Sequence, residues 1–182
     1  MPYLEETHIR IHHAESIPFL VDKEVSAGRL FTAISSSKSL YLAIDLPDMV
    51  FLTGTIFHIP FETLNYLKYR SCEDNREGSW LLKFLHCTPN LKKLTLVKVK
   101  RMTLTPDQVP LCLLCSIEEI KITFYMTKIA EQLRVASYLL KHGLHLQKFI
   151  VNLPVEQTDQ SRVIEELLCL GRGSDKCQLS IV

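Results

Sequence analysis

Along the chain one short phrase recurs: an apolar residue, two others, an apolar residue, one other, an apolar residue. It stands at Leu64, Leu67 and Tyr69; at Leu91, Leu94 and Leu96; at Ile117, Ile120 and Ile122; and at Leu146, Phe149 and Val151. The starts lie 27, 26 and 29 residues apart. Leu4, Thr7 and Ile9 fit more loosely, as do Ser37, Leu40 and Leu42, the two starting 33 residues apart. The alternating end of each phrase predicts a β-strand with one buried face, because successive side chains point to opposite sides. A last alternating run, Cys177 to Val182, puts Leu179 and Ile181 on one side.

Between the phrases lie helical patterns. Trp80, Leu81, Phe84 and Leu85 share one helix face, and Pro89 ends the run. Ile129, Leu133, Ala136 and Leu140, with Val135 and Leu139 beside them, form a longer stripe that stops at Gly143. A helix carrying Val163, Ile164, Leu167 and Leu168 takes Ser161 as its cap, and Gly171 and Gly173 release the chain toward the last strand. Residues 16–36 and 45–60, with Pro18, Gly28, Pro47, Gly54 and Pro60, predict irregular or short helical connections. A strand and a helix in each unit of about 27 residues suit stacking, since one unit cannot bury its apolar side alone. The fold class expected is α/β: an irregular leucine-rich-repeat-like solenoid, its mostly parallel sheet backed by helices.

Composition narrows the classes. Apolar residues make up 47% and charged residues 23%, as in an ordinary folded chain, and the net charge of +1 gives no bulk reason for nucleic acid or membrane binding. Charged residues break the first nineteen positions, so no signal-peptide core is read there, and no apolar run reaches membrane-spanning length. Six cysteines in 182 residues do not make a disulfide scaffold. An intracellular location is expected, cytoplasm and nucleus left open.

The stretch Val109-Pro110-Leu111-Cys112-Leu113-Leu114-Cys115-Ser116-Ile117-Glu118-Glu119-Ile120 resembles the opening of the FBD module of plant F-box proteins, where a Pro-x-Cys-Leu phrase leads into a strand. Ala136 to Gly143 is similar to that module's helix end, Leu146 to Phe149 to its next strand, and Ser174 to Leu179 to its closing phrase. Cys87-Thr88-Pro89-Asn90 and Leu91-Lys92-Lys93-Leu94-Thr95-Leu96 resemble the irregular leucine-rich repeats that precede it. The resemblance implies two parts: 1–108 as the repeat region and 109–182 as an FBD-like module on the same sheet. It departs from the family in having no tryptophan before the Pro-x-Cys-Leu phrase and no glycine after the strand, where Phe124, Tyr125, Met126 and Thr127 stand. Nothing resembles an F-box, so the resemblance implies the substrate-recognition role without direct docking on the ligase scaffold.

If the apolar positions of each phrase face the core, the residues between them share the open face. These are Tyr66, Lys68 and Arg70; Lys93, Thr95 and Val97; Glu119, Lys121 and Thr123; and Lys148, Ile150 and Asn152, with Glu6, His8 and Arg10 from the loose first phrase. Stacked in order, Lys68, Thr95, Lys121 and Ile150 form one file on the concave sheet, and Tyr66, Lys93, Glu119 and Lys148 the next. The candidate protein-binding face is Tyr66, Lys68, Arg70, Lys93, Thr95, Glu119, Lys121, Lys148 and Asn152, suited to a protein patch or acidic peptide. The competing reading is that these are solvated strand positions.

Other chemistry is weakly signalled. Cys112 and Cys115 have redox spacing, but Leu113 and Leu114 between them point to a buried turn with structural thiols. His8, His12 and His13, or Cys72, His86 and Cys87, lack zinc-site spacing; Cys87 is expected to pack beneath the turn before Asn90. Neither a phosphate loop nor a nucleophile elbow occurs, and Glu118-Glu119, Glu165-Glu166 and Asp22 with Glu24 read as solvated edges. No cofactor or metal is expected. The preferred reading is a non-enzymatic protein-interaction module whose partner is an unidentified protein, with a cover expected over the first strand edge because Pro2 and Tyr3 lead straight into it. The alternatives are a truncated or degenerate gene product and, remotely, an unrelated small enzyme.

Overall fold

The computed structural model describes residues 5–12, 28–45, 58–71, 79–99, 104, 108–125, 129–154 and 160–182. Its seven strands are β1 (Glu6–His12), β2 (Ser39–Asp45), β3 (Tyr66–Ser71), β4 (Lys93–Val97), β5 (Glu119–Thr123), β6 (Lys148–Asn152) and β7 (Gln178–Ile181). They form one sheet in chain order, and every neighbouring pair is parallel. Parallel neighbours need a crossover between them, and this is what the long intervals supply. Residues 28–34 (α1), Ser79–His86 (α2), Leu111–Cys115 (α3), Ile129–His142 (α4) and Gln160–Leu168 (α5) are the helices among the described residues.

The register follows the phrase. Leu40, Leu67, Leu94, Ile120, Phe149 and Leu179 are successive partners across six strands, and Thr7 heads the row. Leu42, Tyr69, Leu96, Ile122 and Val151 form the second row, with Ile9 at its head. Both loose phrases are therefore true units of the stack. All twelve apolar residues of the four strong phrases are buried, and they share one core with Leu81, Phe84 and Leu85 of α2, Leu113 of α3, Leu133, Ala136 and Leu140 of α4, and Val163 and Leu167 of α5. Toward the N-terminal end, Phe31, Phe61 and Phe84 meet edge to face, with centroids 5.1–6.3 Å apart.

Polar side chains lock one unit to the next. Thr63, Asn90 and Ser116 stand immediately before the first apolar residue of their phrases, and each reaches back one unit to a backbone carbonyl. Thr63 Oγ1 donates to Ser37 O (3.2 Å), Asn90 Nδ2 to Glu62 O (2.8 Å), and Ser116 Oγ lies 2.8 Å from Pro89 O and 3.0 Å from Leu91 O. A backbone ladder runs beside them, from Asn65 N to Lys38 O, Lys92 N to Asn65 O, Glu118 N to Lys92 O, Gln147 N to Glu118 O and Gln178 N to Gln147 O, all within 2.9 Å. Carbonyls at the start of each strand would otherwise need water, and these bonds satisfy them within the stack.

Two expectations change. Ser161 lies inside α5, whose first residue is Gln160, and so is not its cap. The predicted buried turn at Cys112–Cys115 is a short helix that starts after extended Pro110, with Cys112 and Leu113 buried and Cys115 exposed. In the predicted irregular stretches, residues 28–34 are helical and 58–60 carry no strand; 16–27 and 46–57 lie outside the described residues, as do Leu4, Asp22, Glu24 and Cys72. After β5, where the family's glycine is missing, buried Gln132 takes both backbone groups of Tyr125. Its Oε1 accepts from Tyr125 N at 2.7 Å and its Nε2 donates to Tyr125 O at 3.2 Å. A side chain of α4 thus stands in for a strand partner.

Candidate functional site

The strands bury one side against the helices and leave the other side open. β4, β5 and β6 alternate strictly, with buried residues at their second and fourth positions and partly or fully exposed ones between. On the open side the register draws three files. The first is Glu6, Ser39, Tyr66, Lys93, Glu119, Lys148 and Gln178; the second is His8, Tyr41, Lys68, Thr95, Lys121, Ile150 and Ser180. The third is Arg10, Ala43, Arg70, Val97, Thr123 and Asn152. The seven face residues for which the sequence predicted a file, Tyr66, Lys68, Lys93, Thr95, Glu119, Lys121 and Lys148, lie in register in those two files, and Arg70 and Asn152 stand in the third, neighbours lying about 4.8 Å apart.

Side chains within these files touch. His8 stacks on Tyr41 with ring centroids 5.2 Å apart, and Lys68 Nζ sits 4.9 Å from the centroid of the same ring. The tyrosine thus joins β1, β2 and β3 and fixes the lysine by a cation–π contact. Tyr66 Oη donates to Thr95 Oγ1 at 3.4 Å, Lys93 pairs with Glu119 at 3.8 Å, and Asn152 Nδ2 donates to Thr123 Oγ1 at 3.4 Å. The ion pair is largely exposed and the two hydrogen bonds are half-buried, each worth about 1 kcal/mol or less. Arg70 has its Nε buried without a hydrogen-bond partner.

Tyr41 was missing from the face read off the sequence. It belongs to the looser Ser37, Leu40, Leu42 phrase, in which a serine stands at the first apolar position. Counting 27 residues back from Lys68 leads to it, so the spacing held the signal. Burial was less legible: Ala43 lies on the open side yet is fully buried.

An open groove of about 530 Å³ runs along the strand starts beside Lys38, Asn65, Asn90 and Lys92. Its polar groups serve the stack: Asn90 holds Glu62 O, and Lys92 pairs with Glu118 at 3.2 Å.

The thiols have surroundings of their own. Burial pushes the Cys112 thiol up to about 12, and its Sγ lies 3.5 Å from Leu85 O. Such a thiol stays protonated and is a poor nucleophile at neutral pH. Burial also raises Cys87, which is buried with its Sγ 3.7 Å from Lys83 O. Among the described residues, no group of three or more His, Cys, Asp or Glu side chains is placed to hold a metal ion. No helix of the described residues is long and apolar enough to cross a membrane.

Fold and face together define an α/β solenoid of the leucine-rich-repeat kind, with a parallel sheet open on one side. The chain resembles the FBD and leucine-rich-repeat region of plant F-box proteins. The family model FBD matches residues 105–151, from before α3 into β6; the predicted closing phrase at Ser174 to Leu179 lies beyond that match. An F-box/FBD/LRR-repeat protein of Arabidopsis thaliana is 26% identical over 182 residues, covering 92% of this chain and 42% of that protein. An FBD-associated F-box protein of the same plant is 30% identical over 155 residues, covering 82% of this chain and 34% of its own length. The chain therefore spans well under half the length of these curated relatives. No solved structure matches.

Proposed function

We propose that this chain is a non-enzymatic protein-interaction module and that the open sheet face is where its partner docks. The observation that carries this reading is the division of labour on the strands. On β2 to β6 the two rows facing the helices are apolar and buried, while the other side carries Tyr66, Lys68, Arg70, Lys93, Thr95, Glu119, Lys121, Lys148 and Asn152 in register. The names of its relatives point to F-box adaptors, and the role assigned here is substrate recognition within such proteins. These 182 residues contain nothing resembling an F-box, so docking on a ligase scaffold is not assigned to them. Residues 1–108 act as the repeat region and 109–182 as the FBD-like module, joined because β4 and β5 pair over all five residues. The outer edge of β1, first in the strand order, is assigned to a covering segment or partner, since an open strand edge invites pairing. The site of action is intracellular.

A photo-crosslinking residue placed at Thr95, at the centre of the face, tests the reading in extract of the native tissue. Crosslinks to one protein, lost when Tyr66 and Lys93 are changed to Ala, are expected. Equal crosslinking from an exposed helix position such as Arg134 would overturn it.

A further inference from the structure

We propose that the open face recognises an extended run of acidic residues, through a row of lysines built one to a strand; this rests on the protein-interaction reading above. Lys68, Lys93, Lys121 and Lys148 come from β3, β4, β5 and β6, four consecutive strands. They zigzag: Lys68 and Lys121 stand in one file, Lys93 and Lys148 in the adjoining one. At about 4.8 Å between strands, the row is roughly 14 Å long and runs across the strands. An extended peptide advances about 3.4 Å per residue and turns alternate side chains to opposite sides. About five residues therefore cover the row, and consecutive carboxylates fall alternately toward the two files. Flexible lysine stems take up the difference of roughly 1.4 Å per step between peptide and strand spacing.

Charge is concentrated here. The described side chains of the open face include Arg10, Lys68, Arg70, Lys93, Lys121 and Lys148 against only Glu6 and Glu119, in a protein whose net charge is +1. Both acids are already engaged, Glu6 with His8 at 2.8 Å and Glu119 with Lys93 at 3.8 Å. The row is also bounded. In the two lysine files, β2 offers Ser39 and Tyr41 and β7 offers Gln178 and Ser180, all uncharged. A nucleic-acid strand would run off the row after a few phosphates, whereas a short acidic segment fits within it. Tyr41 positions Lys68, and Glu119 acts as an internal competitor that a bound carboxylate must displace from Lys93.

The test uses the full chain and fluorescence anisotropy with a labelled peptide of five glutamates flanked by Gly-Ser. The same peptide with glutamines, and an oligothymidine of similar charge, serve as comparisons. The glutamate peptide should bind, less tightly as salt rises, and the glutamine peptide should not. The double variant K121E/K148E should weaken binding by about tenfold or more, while R134E/K141E on α4 leaves it unchanged. E119Q should tighten binding, a gain that misfolding cannot mimic. Equal loss in the α4 variant, unchanged or weaker binding in E119Q, or tighter lysine-dependent binding of oligothymidine would each overturn the proposal. If the glutamate peptide fails to bind while the Thr95 crosslink to a protein persists, the acidic-run assignment falls and the interaction reading stands.

Discussion

The two sides of the same strands obey different rules. In the two rows that face the helices, β2 to β6 carry only Leu, Ile, Val, Phe or Tyr, all shut away from water. On the open side, the residue between two buried neighbours varies from strand to strand: Tyr41, Lys68, Thr95, Lys121 and Ile150 occupy one file. Backbone geometry is common to both sides, so the difference lies in what each side must satisfy. The inner side must fill a core at high density, whereas the outer side need only stay hydrated until something meets it. Residue identity on the outer side is thus free to encode recognition.

Substitutions on the two sides should separate sharply. Leu94→Ala or Ile120→Ala should cost about 2–5 kcal/mol in urea unfolding, because each empties a fully enclosed site between two strands. A loss below about 0.5 kcal/mol would contradict the register. Gly173→Ala should cost about 1–3 kcal/mol, since its new Cβ would fall on the Lys141 carbonyl oxygen, which is backbone and cannot swing aside. Replacing Ser116 by Ala leaves the carbonyls of Pro89 and Leu91 without its hydroxyl and should cost about 1 kcal/mol. On the outer side, Lys121→Gln and Lys148→Gln should each shift stability by under about 0.5 kcal/mol, with any effect seen in partner capture instead.

Acidity offers a further probe of the inner side. The unfolded Cys112 thiol ionises near 9.0 and the folded one near about 12, so the folded state holds its proton over that window while the unfolded state releases it. The contribution is present below pH 9 and is lost as pH rises toward 12, at up to about 1.4 kcal/mol per pH unit. Urea midpoints at pH 8 and pH 10 should therefore differ more in the wild type than in Cys112→Ala. An equal drop in both would mean that the thiol meets water.

Much of this was legible before any coordinates. The four strong phrases led to β3, β4, β5 and β6, and two long stripes to α2 and α4, because a period of two or of 3.6 is imposed by backbone geometry and shows in the order of apolar residues. Helix α3 was not legible. Its five residues, Leu111 to Cys115, are all apolar, so no periodicity distinguishes a turn from a helix. The start of α5 was misjudged for a related reason: Ser161 has the chemistry of a cap, but capping depends on where the helix begins, and that is set by how Val163 and Leu167 reach the core.

The amino-acid order by itself determined the unit length and, in the strong phrases, which residues of a strand turn inward and which outward, since both follow from spacing along the chain. Only the tertiary structure decided which partners those residues meet: Tyr41 between His8 and Lys68, Glu119 on Lys93, Ser116 on the carbonyls of the unit before it. Such contacts join residues about 25 to 33 positions apart. They exist only once the strands lie side by side, because pairing across a sheet depends on register between strands and not on periodicity within one.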